Sequence, residues 1–321
     1  KSREEKNMKG GFIGLGNVGF KLANSLLETG FDISIYDLER STAKPLENSG
    51  AKWVNSPKEM ADSCNICITC LPSPKAVSEV LEGEEGLLEG LSAGKLWIEM
   101  STTDSNEMSR LSDLVLNKGA FALEAPVSGG CHRASTGNIA ILVGGSREAF
   151  EMALPSLKAM GHEILHVGEL GSASILKVVT NYLASTHLVA LGEALMVCKK
   201  SGLDLPTVFK GIKISSGNSF VHETESQVIM NGSYNINFTM DLVCKDVGLF
   251  DQLTKDKKIP AEISPLLRDI FQDGRNRFGD RAWSSMIVKR LEEACETNLR
   301  AEGFPAELVD ETPRSEGYEV K

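Results

Sequence analysis

Three glycines spaced Gly14-x-Gly16-x-x-Gly19 stand between an apolar run at residues 9–13 and a segment where Val18, Leu22 and Leu26 recur at helical spacing. A strand that breaks into a glycine turn and then a helix is the opening of a dinucleotide-binding α/β fold. Gly14 allows the tight turn, Gly16 lets the backbone approach a pyrophosphate, and Gly19 permits close packing of helix on strand. The amides of Asn17 and Val18 then face the negative charge at the start of the helix. Asp37 ends the next strand-like run, 18 residues beyond Gly19, where a carboxylate accepts hydrogen bonds from ribose hydroxyls and repels a 2′-phosphate. That predicts NAD as the cofactor, with NADP kept open because Arg40 lies near enough to pair with the extra phosphate. A role for Asp37 as a helix cap is the competing reading.

At 321 residues the chain is long enough for two cores. Short apolar runs alternate with amphipathic stretches through the first half, predicting strands at residues 9–13, 31–36, 51–55, 65–71, 96–100, 121–126, 139–143 and 163–167 in a mostly parallel, doubly wound sheet. Ser56-Pro57-Lys58-Glu59 reads as a capping box that starts a helix, and another helix is expected over residues 148–160. After Gly171 the pattern becomes helical: residues 172–200 as one long helix of about 43 Å, then 205–212, 220–230, 239–254, 264–278 and 283–299. The expected organisation is α/β, with a Rossmann domain over 8–170, an all-α domain for substrate and oligomerisation over 171–300, and a loosely held acidic tail over 301–321.

With 34 Lys and Arg against 44 Asp and Glu, the charge of −10 is the wrong sign for a protein that neutralises nucleic acid phosphates. No apolar run approaches a membrane span, and residues 1–10 lack the apolar stretch of a secretory signal, so a soluble protein is expected. Residues 1–7 are expected to be a processing remnant without function. The seven cysteines have no disulfide framework. Cys64, Cys67 and Cys70 have metal-like spacing but sit on a predicted strand, where residues three apart face opposite ways. His162-Glu163-Ile164-Leu165-His166 matches the zincin signature, yet Gly161 and Gly168 bracket a segment that reads as a strand, which would hold the imidazoles about 13 Å apart. No metal site is predicted.

Lys177 and Asn181 are four apart and share one face of the long helix. A surface lysine beside a polar neighbour is the plain alternative. The apolar residues Ile175, Leu176, Val178 and Val179 argue for a buried turn instead, and a buried ammonium needs a purpose or a partner. General acid/base work at Lys177, with Asn181 orienting it or the substrate, supplies both. Ser128-Gly129-Gly130 ends a strand with bare amides beside a hydroxyl, a turn able to bind a carboxylate; a purely conformational role for the glycines is the rival.

These residues resemble the β-hydroxyacid dehydrogenase family, which includes the 3-hydroxyisobutyrate dehydrogenases. The motifs run in the family's order over nearly the whole chain: GFIGLGNVG at residues 11–19, CLP at 70–72, STTDS at 101–105, EAPVSGG at 124–130, GNIAILVGG at 137–145, GSASILKVVTN at 171–181 and CKDVGL at 244–249. The resemblance implies a Rossmann domain, a long interdomain helix and an all-α domain. It implies Lys177 as the catalytic lysine, Asn181 at the substrate, and Ser128, Gly129 and Gly130 on the substrate carboxylate. Leu71, Pro72 and Thr102 resemble positions on the nicotinamide side, and Lys245 and Phe238 resemble residues of the second domain that reach the cofactor.

Two departures bear on the substrate. Cys131-His132-Arg133 stands where the hydroxyisobutyrate enzymes carry small residues, so His132 or Arg133 is expected to border the pocket and favour a more polar or anionic substrate; Ser215-Ser216-Gly217, by contrast, resembles those enzymes. Ser105 occupies a position where the family commonly has proline. The expected reaction is reversible oxidation of a short 3-hydroxy acid to its semialdehyde. Related semialdehyde reductases (sulfolactaldehyde, tartronate or succinic semialdehyde) are the nearest alternatives. A 6-phosphogluconate dehydrogenase follows, whose family has histidine where this chain has Thr180 and a longer C-terminal region; then comes a non-catalytic dinucleotide-binding module, in which the lysine would be lost. The family further implies a homodimer or homotetramer, in cytoplasm or mitochondrial matrix.

Overall fold

The computed structural model describes residues 8–321, so the expectation for residues 1–7 lies outside the described residues. Strands β1 (Gly10–Ile13), β2 (Ile33–Tyr36), β3 (Lys52–Trp53), β4 (Ile66–Thr69), β5 (Leu96–Glu99), β6 (Phe121–Glu124), β7 (Val127–Ser128), β8 (Ala140–Gly144), β9 (Glu163–Gly168) and β10 (Tyr318–Val320) make one sheet among the described residues. Its order is β10-β9-β8-β6-β5-β4-β1-β2-β3, with β7 on β8. The pairing is parallel except where β8 meets β6 and β7. Every residue of β1, β4 and β5 is buried, as expected of strands covered on both faces. The pleat deals alternate side chains to two cores: Phe12, Ile66 and Ile68 pack with Leu22, Ile35 and Phe150, whereas Ile13, Cys67 and Trp97 pack with Met60, Leu81 and Leu111.

Helices α1 (Gly19–Glu28), α2 (Lys44–Asn48), α3 (Pro57–Ser63), α4 (Pro74–Glu82), α5 (Leu87–Gly90), α6 (Ser105–Leu116), α7 (Gly130–Thr136) and α8 (Arg147–Met160) connect these strands. Local chemistry fixes their starts: the side chains of Ser56, Ser73, Asp104 and Ser146 each accept a backbone amide hydrogen bond, with proline early in α3 and α4. The predicted capping box is half formed. Ser56 accepts from the Glu59 amide at 3.2 Å, but the Glu59 carboxylate turns back to the amide of Asn55, at 2.8 Å. Helix α7 begins where the sequence suggested only a turn.

The remaining helices are α9 (Ser172–Lys200), α10 (Leu205–Lys213), α11 (Phe220–Asn231), α12 (Met240–Asp256), α13 (Ile263–Phe278) and α14 (Lys289–Ala294). The helix expected over 283–299 is instead a 3-10 turn, Ser284–Val288, followed by the short α14. The Glu292 carboxylate ends it, accepting hydrogen bonds from the Leu299 amide at 2.7 Å and from Arg300 at 3.0 Å. Contacts divide the chain into two compact units: the first ends at Lys177 and regains Asp310–Lys321, and the second is Val178–Val309. The division therefore falls inside α9, whereas the sequence placed the domain boundary between residues 170 and 171. The tail expected to be loose is not: Tyr318, Glu319 and Val320 pair in parallel with Glu163, Ile164 and Leu165. Its acidic composition and its three-residue strand hid that pairing, since most partners are contributed by residues far away in sequence.

Candidate active site

Strand order reverses between β1 and β4, so the crevice at the carboxyl ends of those strands is where an open α/β sheet binds its ligand. The glycine turn sits there. Gly14 has φ +99°, and a Cβ on it would lie 2.1 Å from the Cys70 carbonyl; a Cβ on Gly19 would lie 1.9 Å from the Gly14 carbonyl. Neither position tolerates a side chain. A Cβ on Gly16, by contrast, would meet nothing within 4 Å: the exposed backbone of Gly16 and Asn17 borders open space at the start of α1, next to Val18, its N-cap. Those residues fit a dinucleotide pyrophosphate, whose charge a helix start would favour and whose oxygens the open space would admit.

Asp37 follows β2 and holds this turn. Its carboxylate accepts the Leu15 amide at 2.6 Å and the Glu39 amide at 2.8 Å. It is not the cap of a following helix: that duty falls to Glu39, whose side chain accepts from Ser41 ahead of the 3-10 turn Arg40–Ala43. Arg40 is occupied as well. Its guanidinium forks onto Glu47 at 2.5 and 2.8 Å and lies 4.1 Å from the centre of the Trp53 ring.

The segments after β4 and β5 are tied by a buried network that the sequence reading missed. Glu99 is fully buried and accepts from the Thr69 hydroxyl at 2.8 Å and the Ser101 amide at 2.5 Å. Trp97 donates to Thr69 at 3.0 Å, and the Ser101 hydroxyl receives the Leu71 amide at 2.7 Å. Leu71 and Pro72, on one segment, and Thr102, on the other, are thereby set side by side at the ends of neighbouring strands. The available signal was a glutamate closing an otherwise apolar strand, Leu96-Trp-Ile-Glu99.

Ser128 ends β7, opposite Ala140, and Gly129 and Gly130 take φ of +126° and +87° as the chain enters α7. Side chains from α7 fold back over this turn. A Cβ on Gly129 would come 3.1 Å from the Arg133 side chain, and one on Gly130 would come 3.0 Å from the His132 ring. Burial pushes the His132 imidazole below its usual range, and Arg133 adds to the effect while Asp310 opposes it.

Glu124, at the end of β6, is the second buried glutamate without an assigned role in the sequence. It is fully buried and accepts the amides of Ala173 at 2.7 Å and Ser174 at 3.2 Å and the Ser174 hydroxyl. These are orphan donors of the first turn of α9, so Glu124 caps the helix that carries Lys177. Room for its carboxylate comes from Gly144 on β8, where a Cβ would meet Glu124 Oε1 at 2.4 Å. Burial raises the Glu124 carboxyl above its usual range, and the hydrogen bonds from Ser174, Ala173 and Gly171 work against that rise. Lys177 itself is buried.

Asn181, Phe238 and Lys245 belong to the second unit. There Asn181 donates to Asp246 Oδ2 at 2.6 Å, and the Lys245 ammonium lies 3.3 Å from Asp246 Oδ1. Asp246, 1% exposed, orients the asparagine amide; it lies in the CKDVGL segment but went unremarked in the sequence.

Among the described residues there is no cluster of His, Cys, Asp or Glu able to hold a metal ion, and no helix is long and apolar enough to cross a membrane. The zincin-like segment is strand β9: His166 stacks on Phe150 and bonds the Gly145 carbonyl at 2.8 Å, and His162 packs edge-on against Tyr318. Cys67 is buried within β4, where burial pushes its thiol far up.

Two family models match in tandem: the NAD-binding domain of 6-phosphogluconate dehydrogenase over residues 9–168, and the NAD-binding region of NADP-dependent 3-hydroxyisobutyrate dehydrogenase over 171–291. The chain is 33% identical to 2-(hydroxymethyl)glutarate dehydrogenase of Eubacterium barkeri, over 90% of this chain and 96% of that one. It is 32% identical to mitochondrial 3-hydroxyisobutyrate dehydrogenase of Mus musculus, over 82% and 80%. A solved 3-hydroxyisobutyrate dehydrogenase of Mycobacterium tuberculosis, with L-serine, superposes with a TM-score of 0.78 at 25% identity, over 88% of this chain and 99% of that one. The sheet order, the glycine turn and the ordered motifs agree with these likenesses, and the chain belongs to the NAD(P)-dependent β-hydroxyacid dehydrogenase family.

Proposed function

We propose that this enzyme oxidises a short 3-hydroxy acid reversibly to its semialdehyde, preferring NAD, with Lys177 as the general acid/base. The observation that carries this reading is the buried Lys177 on a helix whose first turn is fastened by a buried carboxylate. A bound nicotinamide supplies the hydride acceptor for the carbinol carbon. The protein supplies the rest: Lys177 Nζ takes the hydroxyl proton in oxidation and returns it in reduction, Asn181 orients the reacting oxygen, and the Ser128–Gly130 turn binds the substrate carboxylate. Leu71, Pro72 and Thr102 are proposed to bound the nicotinamide side, and Phe238 and Lys245 are proposed as further cofactor residues.

Arg133, folded against Gly129, favours substrates with a second anionic or polar group. The relative named for 2-(hydroxymethyl)glutarate supports that preference. Reduction of a related semialdehyde is the second reading, favoured by the same arginine. The protein is further proposed to work as a homodimer or homotetramer in cytoplasm or mitochondrial matrix. A panel of 3-hydroxyisobutyrate, 2-(hydroxymethyl)glutarate, glycerate, sulfolactate, 4-hydroxybutyrate and 6-phosphogluconate, each with NAD and NADP, tests the assignment. Turnover of a 3-hydroxy acid with NAD is expected, and turnover confined to 6-phosphogluconate would overturn it.

A further inference from the structure

Beyond residue 291, where the family match ends, the chain leaves the second unit and returns to the first at Asp310. The Asp310 carboxylate receives the Thr136 hydroxyl and the Asn138 amide group, the latter at 2.8 Å, and the Thr312 carbonyl takes a second bond from Asn138 at 2.9 Å. Thr136 and Asn138 are the residues that close α7: the Asn138 backbone amide donates to the Arg133 carbonyl at 2.9 Å, and the Thr136 hydroxyl lies 3.1 Å from the same carbonyl. Gly137 between them is the left-handed C-cap, and a Cβ there would come 2.9 Å from the Arg314 guanidinium.

Arg314 also donates to the Ala159 carbonyl near the end of α8, to the Ser25 carbonyl of α1 at 3.4 Å, and to Glu28 at 2.9 Å. One guanidinium thus sits at the carboxyl ends of three helices, where positive charge is favoured. Farther on, Tyr318 donates its amide to His162 at 2.7 Å, and Glu319 is gripped by Arg147 at 2.5 and 2.9 Å.

A helix of seven residues is too short to hold itself together, and α7 carries Gly130 and Arg133 and follows directly on Ser128. We propose that residues 310–320 are a strap that positions the substrate-carboxylate turn, with Asp310 as the positioning residue that fixes α7. The inference rests on the reading of Ser128–Gly130 as that turn. Both ends of the strap are anchored, by the Asp310 cluster on one side and β10 on the other, so it holds α7 against a rigid sheet edge.

The test compares Asp310→Ala with Asp310→Asn by hydrogen exchange and steady-state kinetics, using the panel acid with the highest kcat/KM, 3-hydroxyisobutyrate in the expected case. Asp310→Ala is expected to speed exchange over residues 130–138 about tenfold and to raise KM for the acid about tenfold, with kcat and the NAD dissociation constant within about twofold. Asparagine, which keeps an acceptor, is expected to recover most of the loss. Unchanged exchange, unchanged KM, or equal weakening of NAD in the alanine variant would overturn the strap. Ser128→Ala separates the two ideas: a KM that rises there but not in Asp310→Ala removes the strap alone, and one that rises in neither removes the carboxylate turn as well.

Discussion

Glu124 accepts a hydrogen bond from the Ala173 amide at 2.7 Å, joining the last residue of β6 to the first turn of the helix that bears Lys177. A buried carboxylate here satisfies three donors in the first turn of α9, one turn before Lys177. Glu124→Ala leaves those donors buried and is expected to cost about 1–3 kcal/mol, read by urea denaturation. Turnover should fall about tenfold or more as Lys177 shifts, with NAD affinity retained. Gly144→Ala, which drives a methyl into the Glu124 carboxylate, should act in the same direction.

Cofactor choice turns on what Arg40 is doing. Both guanidinium arms of Arg40 lie on Glu47 and its face on Trp53, so on the proposed reading it would have to leave these partners to pair with a 2′-phosphate, which the Asp37 carboxylate would repel. Asp37→Ser together with Glu47→Gln is expected to lower the NAD over NADP preference in kcat/KM about tenfold or more, an opposite-sign electrostatic effect at close range. The same double variant should lose some stability, because the Leu15 amide loses its acceptor. Unaltered preference in paired NAD and NADP titrations would mean that another residue reads the phosphate.

In the second unit, burial raises the Glu225 carboxyl to about 7, against the Ser285 hydroxyl that donates to it at 2.5 Å. A carboxyl raised on folding holds its proton longer in the native state. Its contribution is full below about 4.5, the ordinary value, and is lost as pH rises through about 7. Stability should therefore decline across that window, by about 1–2 kcal/mol after allowance for partial exposure. Glu225→Gln should flatten the decline, as measured by urea midpoints at several pH values.

Most of the sheet and nearly all the long helices were legible, because burial on both faces leaves continuous apolar runs and because Ser56, Gly30 and Gly202 punctuate the chain locally. The long helix Ser172–Lys200 matched its predicted span, since its apolar pattern runs unbroken to a glycine turn. Interactions between distant residues were not legible. Glu99 and Glu124 look alike in sequence, each ending an apolar strand, yet one ties two loops together and the other caps a helix 49 residues away. Asp310 and Arg314 read as a loose tail for the same reason: their partners lie more than 150 residues earlier. Helix α7 was missed because two positive-φ glycines, Gly129 and Gly130, stand at its start and it runs for only seven residues.

The most direct test is the turnover of Lys177→Ala, with NADH affinity measured alongside by fluorescence. If Lys177 moves the substrate proton, kcat should fall about 10²–10⁴-fold, the usual worth of a general acid/base, while the NADH dissociation constant stays within about twofold. Turnover within about threefold of the parent enzyme, at every pH tested, would contradict the assignment.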